Sequence, residues 1–226
     1  MGSSDFPLIR VVIYLFSEIS SIKIGNDPRI SNEVRVGVGT LYYLHGYESG
    51  PNSAKGMLFR EKLNARPIDY HRGRPEDVEI DLCRRNILRA IQGDNDPLLI
   101  GSSFGGFLAA KVALETPAVK TLILLNPAII PPRADTSGVK AIPGRILSAM
   151  RDDQLFSKRI PAKTIILVGT NDRVIPRGWI LDFAMAQEAT VRFLNDDHAF
   201  TSNLTRLPEI IAEITQTRLE SKPFPT

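Results

Sequence analysis

The 226-residue sequence has a single cysteine, Cys83. No intramolecular disulfide can form, so the fold must rest on its hydrophobic core, and an oxidising compartment is not required. Cys83 falls on an apolar helical stripe with Ile80, Ile87 and Ile91, which makes it a core thiol. Histidine is nearly as scarce. Three are present, so any imidazole base must be His45, His71 or His198. Long apolar runs are also missing. Residues 6–16 are the most apolar N-terminal stretch, but Arg10 interrupts them. The unbroken part, 11–16, is too short for a signal peptide or a membrane span, and no small-residue cleavage site follows. A cytoplasmic protein without a membrane span is expected. There is no long Lys/Arg run: 28 basic residues stand among 25 acidic ones, for a net charge of +3. With no basic stripe and no zinc-finger or RNA-motif spacing, nucleic acid is not an expected partner.

What is present is a regular alternation of short apolar segments and amphipathic ones, beginning near Val36. Strands are expected over 39–44, 67–70, 98–100, 119–125, 164–168 and 190–193. Helices are expected over 57–63, from Pro75 through Ile91, and over 107–114, 179–186 and 207–214. Apolar strands joined by helices predict an α/β fold, with a mostly parallel sheet covered by helices on both faces. One interval breaks the alternation. Residues 129–162 hold Pro131, Pro132, Pro143 and Pro161 with a short helix near 145–150, and predict a small cap insertion at about 130–161 over the carboxyl ends of the strands. Residues 1–37 are either an extension or added edge strands, with candidate strands at 11–15 and 22–24. Residues 38–218 form the main domain and 219–226 a tail.

The strongest local signal is G-x-S-x-G at Gly101, Ser102, Ser103, Phe104 and Gly105. An apolar strand precedes it and a helix follows. A nucleophile on a sharp strand-to-helix turn has a strained backbone, and the positions two before and two after it must be small because strand and helix nearly touch. Ser103 is in the right phase for the nucleophile, whereas Ser102 has a structural role. A P-loop or dinucleotide-binding reading fails, because the run lacks the Gly-Lys-Ser/Thr ending and the G-x-G-x-x-G spacing.

A serine hydroxyl needs a base. Only His198 follows Ser103 in the chain, between the last strand and the last helix, which is where the order Ser, acid, His puts it. The acid is expected after the preceding strand, at Asp172. A carboxylate there accepts the imidazole N–H and stabilises the imidazolium. Asp196 and Asp197 are too close in sequence to reach behind His198 and are expected to shape the loop. An oxyanion needs preorganised donors. The backbone N–H of Phe104 at the helix start is one candidate, and that of Tyr47, after His45 and Gly46, the other. His45 is expected to orient this loop. His45, Gly46, Asn126 and Pro127 are candidate substrate-binding residues, though Asn126–Pro127 reads equally well as a strand terminator.

These blocks resemble the small YqiA-like esterases of the α/β-hydrolase superfamily. The likeness runs over residues 40–215. It is carried by His45-Gly46 with the Pro51-x-Ser53-x-Lys55 tail, Gly101 to Gly106, Asn126-Pro127-Ala128, Gly169 to Asp172, and Asp197 to Phe200. The resemblance implies Ser103, Asp172 and His198 as a triad, with Tyr47 and Phe104 as oxyanion donors. It further implies hydrolysis of short-chain carboxylic esters through an acyl-enzyme, with no cofactor or metal. A thioesterase or a C–C hydrolase would use the same three residues, and a catalytically inactive hydrolase fold could serve as a binding module. A haloalkane dehalogenase is disfavoured, since that chemistry wants a carboxylate where Ser103 stands.

Overall fold

A computed structural model of the chain describes residues 13–14 and 39–220. The strand expected at 22–24 lies outside them. In chain order the elements are β1 (Ile13–Tyr14), β2 (Leu41–Leu44), α1 (Ala54–Leu63), β3 (Arg66–Pro67), α2 (Ile80–Ala90), β4 (Leu98–Ser102), α3 (Phe104–Glu115) and β5 (Thr121–Leu125). Then come α4 (Gly144–Ala149), α5 (Gln154–Ser157), β6 (Lys163–Gly169), α6 (Arg177–Gln187), β7 (Thr190–Leu194) and α7 (Leu207–Glu220). The strands form one seven-stranded sheet in the order β1-β7-β6-β5-β4-β2-β3, and every pairing is parallel.

Successive strand residues point to opposite faces, and the two cores show this alternation. Tyr42, Leu44, Leu99, Leu122, Leu124, Ile166, Val168 and Val191 join α2, α3 and α6 on one face. Leu41, Tyr43, Leu98, Ile100, Ile123, Leu125 and Leu167 pack against α1 and α7 on the other. Both faces are covered, which is why the strands read as continuous apolar runs. Cys83 is fully buried in the first of these cores, and burial pushes its thiol up to about 11.

Element boundaries differ from expectation for local reasons. Helix α1 begins three residues earlier, because the Ser53 hydroxyl accepts from the Gly56 N–H and caps it. Pro75–Asp77 is a separate 3₁₀ turn, and α2 starts only at Ile80. Strand β3 is two residues long, ending at Pro67, which has no N–H to give. Helix α3 starts at Phe104, three residues early, because Gly105 and Gly106 are not breakers here. A Cβ on Gly105 would strike the carbonyl oxygens of Leu44 and His45, and one on Gly106 would lie 2.9 Å from Pro127 Cβ.

The interval between β5 and β6 is tied down at several points. Lys111 on α3 pairs with Asp152 at 2.6 Å. The Arg151 guanidinium donates to the carbonyls of Pro131, Pro132 and Ala134. Gln187 on α6 accepts from the Ile160 N–H and donates to Leu155 and Lys158. Among the described residues no helix is long and apolar enough to cross a membrane.

Candidate active site

Parallel strands end on one edge of the sheet, and register decides which ends are neighbours. Leu44 is level with Gly101, Ser102 with Leu125, and Gly169 with Leu194. The segments leaving β2, β4, β5, β6 and β7 therefore meet at one rim. They carry His45–Tyr47, Ser103, Asn126, Asp172 and His198 respectively.

Ser103 sits between β4 and α3 with φ 53° and ψ −118°. This conformation is rare for an L-residue and costs on the order of 1–3 kcal/mol, so it persists only when its surroundings over-determine it. They do so here. The Ser103 N–H donates to Leu125 O at 2.9 Å, and its carbonyl accepts from Gly106, Phe107 and Ala128. The flanking glycines make the turn possible: a Cβ on Gly101 would lie 2.5 Å from Gly105 O and 2.7 Å from Gly106 Cα.

Three side chains from different strand ends form a chain of hydrogen bonds. His198 Nε2 is 3.0 Å from Ser103 Oγ, and His198 Nδ1 is 2.8 Å from Asp172 Oδ2. The Asp172 side chain is 4% exposed and that of His198 23%. The other Asp172 oxygen accepts from the N–H groups of Val174 and Ile175 at 2.7 and 3.1 Å. Both carboxylate oxygens are thus held, and the carboxylate faces the imidazole in a fixed orientation. With Nδ1–H directed at Asp172, Nε2 is left with its lone pair toward the serine hydroxyl.

The loop after β2 lies directly beside Ser103. A Cβ built on Gly46 would be 3.8 Å from the Ser103 Cβ, and the Tyr47 ring meets the Phe104 ring edge-on at 5.9 Å. The Phe104 N–H opens α3, where first-turn amides lack an intrahelical partner and the helix dipole favours negative charge.

A cleft of about 440 Å³ opens above Ser103 and His198, within the size range of small-ligand sites. Gly46 and Tyr47 form part of its wall, with Tyr43, Ser53, Lys55 and Ser102 on one side and Ala141, Ile142 and Val174 on the other. Three residues expected at the substrate surface lie behind it, which corrects that expectation. His45 is 2% exposed and stacks on Tyr70 with ring centroids 4.2 Å apart. Its Nδ1 is 2.9 Å from Gly46 O, and the Tyr70 hydroxyl donates to His45 O at 2.7 Å. Burial lowers the His45 pKa and so favours the neutral imidazole, and its Nε2 has no hydrogen-bond partner among the described residues. Pro127 is buried against Gly106. Asn126 is fully buried in a left-handed conformation, φ 43°. Its Oδ1 accepts from the Gly169 N–H at 2.8 Å, and its Nδ2 donates to the carbonyls of Asp197 and His198, both at 3.1 Å. Asn126 therefore fastens the strand leading to Asp172 onto the loop bearing His198. Glycine is required at 169 for the same contact, since a Cβ there would lie 2.5 Å from Asp197 O.

The two acidic neighbours of His198 serve the loop. Asp196, 2% exposed, accepts from the N–H groups of Asp197, Ser202 and Asn203 and from Asn203 Nδ2. Asp197 accepts from the Thr201 N–H and hydroxyl, which lower its pKa. His71 stays on an outer loop against Arg74 O.

A family model described as an uncharacterised protein family, UPF0227, matches residues 40–215. The chain belongs to UPF0227. No curated protein matches the sequence. Among solved structures, this UPF0227 chain is similar to Est1E from Butyrivibrio proteoclasticus with ferulic acid bound, at a TM-score of 0.66 and 18% identity, covering 84% of this chain and 92% of that one. It is also similar to the meta-cleavage product hydrolase from Pseudomonas fluorescens, at 0.62 and 16%, covering 81% and 93%. A third likeness is to α/β hydrolase domain-containing protein 10 from mouse, at 0.61 and 17%, covering 81% and 92%. At these identities the likeness establishes the α/β-hydrolase fold for the UPF0227 chain, and the chemistry must be argued from its own residues.

Proposed function

We propose that the protein is a serine hydrolase acting on short-chain carboxylic esters. The observation that carries this reading is the unbroken chain from Asp172 through His198 to Ser103, at 2.8 and 3.0 Å, at the floor of a small cleft. Ser103 Oγ attacks the ester carbonyl carbon while His198 Nε2 takes its proton. The carbonyl oxygen becomes an oxyanion and accepts from the backbone N–H groups of Phe104 and Tyr47. The carbon–oxygen bond to the alcohol then breaks, and the imidazolium returns the proton to the departing oxygen. A water, deprotonated by His198, attacks the acyl-enzyme and releases the acid and the free serine. Asp172 stays ionised throughout and stabilises the imidazolium. No cofactor or metal takes part in this scheme. Residues 130–161 act as a small cap, with Ala141 and Ile142 offering an apolar wall to the acyl chain.

The test is labelling by a fluorophosphonate probe together with hydrolysis of 4-nitrophenyl esters of two to eight acyl carbons. Labelling and turnover are expected in the wild type and both are lost in Ser103→Ala, with the circular dichroism spectrum unchanged. Ester turnover that persists in folded Ser103→Ala would overturn the assignment.

A further inference from the structure

Lys55 lines the same cleft as Ser103 and His198, and the hydrolytic scheme gives it no task. Its position is unusual on three counts. It stands in the first turn of α1, where the helix dipole already places positive charge, and no acidic residue shares that turn. It is half-buried, and this desolvation lowers its pKa. Among the described residues it forms no ion pair. The acidic groups nearest to it electrostatically are Asp197 and Asp196. Their carboxylates are taken up by Thr201 and by the donors from Asp197, Ser202 and Asn203. Glu48, also on the cleft wall, is exposed to solvent.

The cleft is divided by chemistry. Ile142 and Val174 belong to the face of the sheet bearing α2, α3 and α6, where Ile142 is core and Val174 packs on it. Ser53, Lys55, Thr201 and Leu204 come from α1, its cap and the approach to α7, on the opposite face. Lys55 brings a cation, with the Ser53 and Thr201 hydroxyls, to one part of a mostly apolar cleft that also holds Ser103. A partly desolvated ammonium without a partner is unfavourable in the empty protein, and an incoming anion offsets that cost.

We propose that Lys55 recognises an anion in this cleft and that the substrates are esters bearing a carboxylate, held by the Lys55 ammonium while Ser103 attacks the ester carbonyl. This rests on the serine-hydrolase reading above. The recognition chemistry is the same whether the acyl half or the alcohol half carries the carboxylate, and the assay separates the two.

The test compares kcat/KM for matched pairs, corrected for spontaneous hydrolysis. The acyl pair is mono-4-nitrophenyl glutarate and 4-nitrophenyl pentanoate. The alcohol pair is 3-carboxy-4-nitrophenyl butanoate and 4-nitrophenyl butanoate. The readout is the anionic-to-neutral ratio within a pair, in wild type, Lys55→Met and Lys55→Arg. In at least one pair Lys55→Met is expected to lower the ratio fivefold or more and Lys55→Arg to retain most of it. The wild-type ratio should fall as salt rises from 20 to 300 mM. A ratio that changes less than fivefold in both pairs overturns the proposal. If Lys55→Met does not fold, a wild-type ratio insensitive to salt in both pairs overturns it instead. Should the wild type hydrolyse none of the four esters and resist the fluorophosphonate, the hydrolase reading fails and this inference with it. Turnover of the neutral esters without dependence on Lys55 overturns this inference alone.

Discussion

Asn126→Asp is the most revealing single change in this protein, because it keeps the shape of a buried side chain and alters one atom. In the wild type, Asn126 Oδ1 accepts from Gly169 N–H while Nδ2 donates to two carbonyl oxygens, those of Asp197 and His198. An aspartate keeps the first bond but turns its second oxygen toward both carbonyls at about 3 Å. Ionised, that oxygen is repelled; protonated, it donates to one of them. The folded state therefore binds the proton more tightly than the unfolded chain does. For a fully buried carboxyl a rise of about 3 units is reasonable, which corresponds to about 4 kcal/mol. The sign follows from linkage. Below the unfolded pKa near 3.9 the substitution costs little. Between there and the raised folded value the penalty grows by about 1.4 kcal/mol per pH unit, and above it the penalty is constant. Urea denaturation of wild type and variant at pH 5 and pH 7 should thus show the stability gap widening by about 2.5 kcal/mol. Esterase activity should fall with it, since the loop carrying His198 loses two anchors and a displacement of about 1 Å at a reacting group can cost about a hundredfold in rate. A gap that stays constant within about 0.5 kcal/mol between the two pH values would refute the reasoning.

Three further outcomes follow from the same contacts. In Asp172→Asn the amide nitrogen faces His198 Nδ1 and forces the tautomer with Nε2 protonated, so kcat should fall by about 10³–10⁴ with KM little changed; steady-state kinetics on a 4-nitrophenyl ester checks this. Gly105→Ala drives a methyl into the backbone carbonyls of Leu44 and His45 and should destabilise by about 2–3 kcal/mol, or about 5–10 °C in Tm by calorimetry. Lys111→Met strands the Asp152 carboxylate, 11% exposed in the ion pair, at a cost of about 1–3 kcal/mol, and Asp152→Asn added to it should recover part of that in thermal melts.

The sequence made the central strands legible because each is a short apolar run closed by glycine, asparagine or histidine. Leu98 to Ser102 and Thr164 to Gly169 are buried on both faces, and only a covered parallel sheet gives that pattern. The positions of Ser103, Asp172 and His198 could be proposed from chain order, since parallel strands deliver their ends to one rim. The role of Asn126 could not. A polar residue after a strand reads as a surface group, and burial with three partners is visible only once segments some 70 residues apart in sequence are brought together. Asn126 and His45 therefore lie one layer behind the cleft surface on which their sequence context puts them. The sequence shows Lys55 as part of a motif but not its place in the cleft, which depends on where α1 begins. With the helix starting at 57, Lys55 is a loop lysine; capped by Ser53, it is a first-turn cation facing the cleft.

The assignment of the acid also rests on hydrogen-bond capacity. Three aspartates, 172, 196 and 197, crowd the rim beside His198, and the last two are its immediate neighbours in the chain. Asp196 is saturated by four donors within its own loop, so turning it toward the imidazole would break four hydrogen bonds to a charged group, each worth about 1.5–3 kcal/mol. Asp197 is held outward by Thr201. Asp172 alone offers one oxygen to backbone amides and the other to His198. The loop around Asp196 is rigid because its carboxylate is spent internally. That rigidity, with the Asn126 clamp beneath it, lets an aspartate 26 residues away in sequence meet His198 Nδ1 at 2.8 Å. An Asp196→Asn change should therefore loosen the loop and lower kcat, but by less than Asp172→Asn does. If Asp196→Asn cost more in kcat than Asp172→Asn, the acid would have to be reassigned.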